Sequence, residues 1–240
     1  MSRAGTLYLI PTLLGEATVD TAIPTGVQER IRAIGYFIAE EPKSARAFLK
    51  AVGHPLPLAR LKIDRLEASP DATRIAQLLE PVLGGSDAGV LAEAGAPAVA
   101  DPGAPLVRAA HRSGLRVAPL VGPSAILLAL MSSGLDGQRF AFHGYLPVAE
   151  RELEMRLRSL EADSRRERRT EVFIETPYRS DRLLRAILDA CAPDTLLSLA
   201  VDLASSSESI STATIADWRA RRYLIGKRPA VFLLLAPSRR

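Results

Sequence analysis

The stretch LAEAGAPAVADPGAPLV, residues 91–107, decides how this sequence is interpreted. Its apolar residues are typical of a buried segment, but Gly95, Pro97, Pro102 and Gly103 interrupt them. Gly and Pro are the strongest breakers of regular secondary structure. A glycine-bearing loop also allows the main chain to come close to a neighbouring loop or to a ligand. The stretch therefore predicts a rigid loop that packs against one of these two.

A strand precedes this loop and a helix follows it. The continuous apolar run at 88–93 predicts a buried strand, and the periodic residues 105–114 predict a helix that ends at Gly114. Further strands are predicted at 6–10, 35–40, 60–66, 115–120, 139–147, 170–176, 195–202 and 230–236, and further helices at 44–52, 72–83, 125–134, 179–190, 213–220 and from Ala149. This alternation predicts an α/β fold with right-handed crossovers and mostly parallel or mixed sheets.

The segment VGPSA, residues 121–125, marks a new beginning. Gly122 and Pro123 break the preceding strand, and Pro123 suits the first turn of the next helix. The strand and helix pattern then restarts. We therefore predict two α/β domains, residues 1–120 and residues 121–240, each long enough to bury a core.

Composition excludes several classes of protein. The single cysteine, Cys191, excludes an internal disulfide framework, and three His with one Cys make a metal site improbable, so no metal is expected. No segment reaches the roughly 18 continuous apolar residues of a membrane span, and the N-terminal apolar run is too short for a secretory signal. We expect a cytoplasmic protein without a membrane partner. The net charge of +4 fits either an anionic partner or a basic surface without a function.

Four Gly- or Pro-marked loops follow predicted strands, at 11–17, 93–103, 121–125 and 143–147. In a parallel sheet, ligands bind beyond the carboxyl ends of the strands. The four loops therefore predict either a cleft walled by main chain or the ordinary turns of an α/β fold. None of them matches the dinucleotide, P-loop or nucleophile-elbow motifs.

Charged residues near these loops have competing explanations. Glu175 ends a predicted strand, and Thr176 is predicted to cap the next helix, which leaves Glu175 as a candidate site residue. The cluster Arg165 to Arg169 is the densest run of basic residues. We favour a solvated helix face over nucleic-acid contact there, because no aromatic residues are interleaved with the arginines.

Taken in order, AEAGAPAVADPG, LVRAA, VGPSA, FHGYLP, FIETPYR and KRPAVFLLLA resemble the tetrapyrrole methylase superfamily, the class III S-adenosylmethionine-dependent methyltransferases. The resemblance covers nearly the whole chain. The most similar branch methylates a ribose 2′-hydroxyl of a cytidine in small-subunit ribosomal RNA. Members have two α/β domains and are typically homodimers.

The resemblance implies that S-adenosyl-L-methionine lies in the cleft between the two domains. The loop from Gly95 to Asp101 would hold its methionine part, and Pro229 and Ala230 would contact its adenine. The cofactor-binding residues carried over are Pro11, Gly95, Ala96, Pro97, Val99, Asp101, Gly122, Pro123, Ser124, Ala125, Leu146, Ile174, Glu175, Pro229 and Ala230.

Three departures from the ribosomal branch keep the substrate open. Glu-Asp-Thr-Arg-His is replaced by residues 40–44, Glu-Leu-Thr-Lys is replaced by residues 202–205, and the branch's small C-terminal segment is absent after Arg240. The alternatives are RNA, a tetrapyrrole or other small anionic molecule, and a cofactor-binding protein without turnover. A hydroxyl substrate would need a base within hydrogen-bond reach. Asp101 is the first catalytic candidate and Glu41 is the second.

Overall fold

Apolar runs in the first half of the chain form a five-stranded parallel sheet. Its strands are β1 (Thr6–Ile10), β2 (Tyr36–Ala39), β3 (Lys62–Arg65), β4 (Ala88–Leu91) and β5 (Arg116–Pro119), in the order β3-β2-β4-β1-β5. The computed structural model describes residues 4–238. β2 and β4 are buried throughout, as expected for strands covered on both faces.

Helices cover both faces of this sheet. They are α1 (Val19–Ala22), α2 (Thr25–Arg32), α3 (Pro42–Ala51), α4 (Ala72–Leu83) and α5 (Ala104–Arg112), with a 3-10 turn at Leu58–Arg60. Ile31 of α2 and Leu49 of α3 belong to one apolar cluster, whereas Leu78 of α4 and Leu106 of α5 belong to another. The connections that follow β1 and β2 therefore lie on one face of the sheet, and the connection that follows β4 lies on the opposite face.

This arrangement makes the carboxyl end of β4 a topological switch point. β4 lies between β1 and β2, and its connection to α5 departs on the other side of the sheet. Neighbouring connections that diverge in this way leave a crevice outside the carboxyl ends of the strands, where ligands of open α/β sheets bind. The interrupted loop predicted from residues 91–107 begins at this point.

The second half of the chain forms a mixed sheet of β6 (Phe140–Tyr145), β7 (Thr170–Glu175), β8 (Leu196–Val201), β9 (Ser209–Thr214) and β10 (Ala230–Leu235), in the order β6-β7-β10-β8-β9. Its helices are α6 (Ala125–Ser133), α7 (Glu150–Glu167), α8 (Ser180–Ala190) and α9 (Ile215–Ala220). One apolar cluster contains residues of α7, α8 and α9, and another contains residues of α6.

The chain divides into unit 1, Met1–Ser124, and unit 2, Ala125–Arg240. The predicted division after residue 120 lies four residues before this one, and the amide of Leu120 donates to the carbonyl of Leu9 at 2.9 Å, next to β5. No helix among residues 4–238 is long and apolar enough to cross a membrane.

Most predicted elements are confirmed, and the differences have physical reasons. Asp71 caps α4 by accepting the amide of Arg74 at 2.7 Å, as the sequence pattern predicts. The prediction that Thr176 caps α8 is wrong, because α8 begins at Ser180 with Arg179 at its N-cap. The prediction of parallel or mixed sheets is confirmed, since the sheet of unit 1 is parallel and the sheet of unit 2 is mixed, with only the β6–β7 pairing parallel. Apolar runs indicate where strands lie but not their direction. The strand β9 was not predicted, because it has no apolar run.

Candidate functional site

The loop after β4 is fixed to the loop after β1 by hydrogen bonds from the main chain and the side chain of Thr12. The amide of Thr12 donates to the carbonyl of Gly95 at 2.9 Å, and the Thr12 hydroxyl donates to the carbonyl of Ala92 at 3.3 Å. Thr12 is buried, so these bonds replace hydrogen bonds to water. The two loops therefore form one wall at the switch point.

Positive backbone φ angles recur in this same loop. Gly95 and Gly103 have φ values of +74° and +141°, and the two alanines Ala98 and Ala100 have φ values of +63° and +67°. An alanine in the left-handed region costs about 1–2 kcal/mol. Strain of this kind persists where the surrounding structure over-determines it, and it clusters at ligand-binding and active sites.

Gly122 brings a second loop close to the first. A β-carbon at Gly122 would lie 2.6 Å from Cβ and 2.9 Å from Cγ of Pro11. A β-carbon at Gly95 would lie 3.4 Å from Leu14 and 3.7 Å from the carbonyl oxygen of Pro123. The structure thus brings the predicted residues Pro11, Gly95, Gly122 and Pro123 together at the carboxyl edge of the unit 1 sheet.

Three carboxylates interact beside this wall. Burial, followed in size by the charge of Glu40 and the charge of Glu93, raises the pKa of Asp101 to about 6. Burial and the charge of Glu93 also raise the pKa of Glu40, whereas Arg65 lowers it. Mutual repulsion of this kind is relieved by a proton or by a cationic ligand.

The acidic cluster consists of Glu40, Glu93 and Asp101. Among residues 4–238, no group of three or more His, Cys, Asp or Glu side chains has the spacing needed to hold a metal ion. An organic cation would suit the negative charge of this cluster. A strongly perturbed carboxyl group at a switch point is itself a candidate functional residue.

The two catalytic candidates have different surroundings. Asp101 is half-buried within the acidic cluster. Glu41 is exposed and serves as the N-cap of α3, where its carboxylate accepts the amide of Lys43 at 3.0 Å. Sequence reasoning did not select Glu40 and Glu93 as site residues. The sequence shows that these two residues follow apolar runs, but it does not show that β2 and β4 are neighbours in the sheet.

The remaining candidates in the unit 1 loop differ in exposure. Val99 is 45% exposed, Ala96 is partly exposed, and Pro97 is buried. Ser124 ends unit 1 and Ala125 opens α6 in unit 2, and both are partly exposed.

The predicted residues of unit 2 gather at one edge of its own sheet. Ala230, at the start of β10, is paired with Glu175 at the end of β7, and Val231 is paired with Ile174. Ile174 is also paired with Tyr145, which precedes the buried Leu146. Pro229 precedes β10, and its carbonyl accepts the amide of Asp202 at 3.0 Å.

Glu175 is held by its own neighbours. Its side chain is almost fully buried, accepts the amide of Thr176 at 2.7 Å and pairs with Arg179 at 2.6 Å. A buried carboxylate with both interactions satisfied is sufficiently explained as an anchor for the turn before α8.

No family model matches the chain. Three relatives bear the name ribosomal RNA small subunit methyltransferase I. The Xylella fastidiosa (strain Temecula1) protein is 30% identical over 90% of this chain and 75% of its own length. The Pseudomonas aeruginosa protein is 30% identical over 90% and 73%, and the Escherichia coli O157:H7 protein is 30% identical over 89% and 70%.

Solved structures confirm the predicted fold class. The methyltransferase CobJ has a TM-score of 0.62 and 20% identity, with 98% of this chain and 100% of that chain covered. The uroporphyrin-III-C-methyltransferase from Thermus thermophilus has a TM-score of 0.55 and 18% identity, with 96% and 92% covered. Identities this low are informative about the fold alone.

Proposed function

The chain belongs to the family of the small-subunit ribosomal RNA methyltransferase I proteins, and we propose that it transfers a methyl group from S-adenosylmethionine to a ribose 2′-hydroxyl of ribosomal RNA. Methyl transfer as the reaction class rests on 30% identity over 90% of this chain to the Xylella protein and on the same identity to the other relatives. The cofactor, the RNA and the methylated atom are the parts that we propose.

One observation supports the cofactor above all others, namely the acidic cluster beside a glycine-bearing wall at the switch point. S-adenosylmethionine carries a sulfonium and an ammonium, and both are positive. The charges of Glu40 and Glu93 raise the pKa of Asp101, so a cation near these groups would relieve repulsion that the protein alone leaves in place. The residues present therefore fit this cofactor.

The cofactor, when bound, supplies a methyl group that its sulfonium has already activated. The protein then has to align a hydroxyl nucleophile, and alignment is worth up to about 7–11 kcal/mol of the barrier. The wall formed by Gly95 and its neighbours offers main-chain groups at fixed positions, because Thr12 holds the loop through two hydrogen bonds. In this proposal the wall orients the cofactor's methionine part.

Asp101 is proposed as the base that accepts the hydroxyl proton. With a pKa of about 6, the Asp101 carboxyl group is ionised in most molecules at pH 7. This pKa is also close to the operating pH, which suits general base catalysis. Glu41, the second candidate, is proposed only as the cap of α3 and serves as the matched control.

Cofactor contact at the unit 2 edge is a further part of the proposal. It rests on the family resemblance and on the gathering of Leu146, Ile174, Pro229 and Ala230 at one edge of that sheet. Substitution of Ala230 by Trp would test it, because cofactor affinity should fall while RNA affinity stays unchanged.

A homodimer acting in the cytoplasm, where ribosomes are, completes the proposal. The helix α6 buries Ile126 and Leu130 but exposes Leu127 by 52% and Met131 by 80%. Residues four apart lie on one helix face, so Leu127 and Met131 present an apolar stripe that suits a second copy of the chain. Light scattering of the wild type and of Met131→Glu tests the dimer.

The decisive experiment is transfer of a labelled methyl group from S-adenosylmethionine to small ribosomal subunits that lack the modification. We expect incorporation with the wild type, a loss of at least a hundredfold in rate with Asp101→Asn, and little change with Glu41→Gln. Calorimetric titration with S-adenosylmethionine accompanies each variant. Transfer to a small-molecule extract, and none to the subunits, would overturn the RNA substrate. Equal rates for Asp101→Asn and the wild type would overturn the assignment of the base.

A further inference from the structure

An exposed aromatic ring lies beside a lysine in unit 2. Tyr178, on the turn between β7 and α8, is 81% exposed, more than any other large hydrophobic side chain among residues 4–238. The Nζ of Lys227 lies 5.5 Å from the centroid of its ring. A cation at this distance is attracted to the ring. The exposure of Tyr178 leaves ring surface available for a further contact.

The lysine is held near the ring by the start of α8. The carboxylate of Asp181 accepts the amide of Ile225 at 2.7 Å and the amide of Gly226 at 3.2 Å. Gly226 adopts a φ of +70°, which suits glycine at the turn that precedes Lys227. These bonds arrange the ring and the ammonium before any ligand arrives.

Two exposed cations of the segment 222–227 lack acidic partners among the residues that the structure describes. Within the described range 4–238, neither Lys227 nor Arg222 takes part in an ion pair, although both are exposed. Arg228 differs, because it pairs with Asp202 at 3.8 Å. The segment 222–227 therefore carries positive charge that a phosphate could neutralise.

The basic cluster that stands out in the sequence contrasts with this segment. Arg166 pairs with Asp163 and Glu167, and Arg169 pairs with the buried Glu171. Two of its arginines are therefore already engaged by carboxylates. Lys227, by contrast, has no ion-pair partner in the described part of the chain and lies beside the exposed ring of Tyr178.

We propose that Tyr178 stacks on an unpaired base of the RNA substrate, while Lys227 and Arg222 contact the adjoining phosphates. This inference rests on the proposed function for the identity of the RNA. Aromatic rings flanked by Lys or Arg are how proteins bind single-stranded nucleic acid, since every base has a face that can stack and every nucleotide has a phosphate. Leu224, 73% exposed on the same segment, adds apolar surface for a base or ribose.

The test measures binding of a fluorescein-labelled single-stranded RNA of about 12 nucleotides to the full-length protein by anisotropy. Stacking of one base is worth about 1–3 kcal/mol, so Tyr178→Ala should weaken binding by about 5- to 150-fold. Tyr178→Phe keeps the ring and should stay within about twofold of the wild type. Lys227→Ala should lower the slope of log affinity against log salt by about 0.7.

Lys62→Ala is the matched control. Lys62 also lies over a tyrosine ring, 4.8 Å from the centroid of Tyr36, but that ring is buried and lies in unit 1. The substitution removes the same charge from a contact with a tyrosine ring, although Lys62 also pairs with Asp64 at 3.6 Å. RNA affinity and salt slope should both match the wild type.

The outcomes separate this inference from the proposed function. Methylation of ribosomal subunits by the wild type, with unchanged RNA affinity in Tyr178→Ala, would overturn the stacking role and leave the function standing. Loss of RNA affinity in Tyr178→Ala, with no methylation by the wild type, would support stacking and overturn the function. Equal losses in Lys62→Ala and Lys227→Ala would show that only overall charge matters, which also overturns the inference. S-adenosylmethionine affinity should be the same in all four variants.

Discussion

Substitution of Asp101 by Asn should stabilise the protein at neutral pH while it removes activity. Burial and the charges of Glu40 and Glu93 raise the pKa of Asp101 from 3.8 to about 6. The carboxyl group is protonated in both the folded and the unfolded chain below pH 3.8, and it is ionised in both above pH 6. A raised folded-state pKa therefore destabilises the native state in full above pH 6, and the cost disappears as the pH falls toward 3.8.

The size of the effect follows from the shift. Two pH units correspond to roughly 3 kcal/mol of unfolding free energy, but the half-exposed side chain is screened by water, which reduces the gain to about 1 kcal/mol. For a chain of this length, this raises the melting temperature by about 2–4 °C. The gain should be seen at pH 8 and should nearly vanish at pH 4.

Thermal unfolding followed by circular dichroism at the two pH values measures this gain. Glu41→Gln is the control, because it removes the carboxylate next to Glu40 in the sequence and weakens the cap of α3. Its melting temperature should therefore not rise at either pH. A lower melting temperature for Asp101→Asn at pH 8 would refute the reasoning. So would a gain of equal size at pH 4.

Two further predictions concern the cofactor and the packing of the wall. If S-adenosylmethionine binds only when Asp101 is ionised, a pKa of about 6 makes the affinity for S-adenosylmethionine roughly tenfold weaker at pH 5 than at pH 7. Calorimetry should show a smaller pH dependence for S-adenosylhomocysteine, which lacks the sulfonium charge. An equal pH dependence for both ligands would contradict the role of the acidic cluster. Gly122→Ala should destabilise the protein by about 1–3 kcal/mol, because its Cβ would lie 2.6 Å from the Pro11 ring. Gly26 lies in α2, and no atom would lie within 4 Å of an added β-carbon there. Gly26→Ala should therefore raise the free energy of unfolding, measured in urea, by about 0.5–1 kcal/mol. Destabilisation by both substitutions would show that the close approach to Pro11 is not the cause.

The sequence by itself determined the elements and the strained loop. Apolar periodicity and the positions of Gly and Pro are local properties, so they located β1, β4 and α4 within a few residues and predicted that the segment after β4 would be a close-approach loop. The helices between residues 19 and 32 were not predicted, since α1 has only four residues and polar residues interrupt α2.

Only the tertiary structure decided which loops meet. Placement of β4 between β1 and β2 brings Glu40 to Asp101, and the pairing of β7 with β10 brings Tyr178 to Lys227. Each of these contacts joins residues about 50 or more positions apart, and a hydrophobic pattern carries no information on strand order or direction. The acidic cluster and the aromatic–lysine pair are therefore products of topology, whereas the interrupted loop that carries Glu93 and Asp101 was already present in the order of the residues.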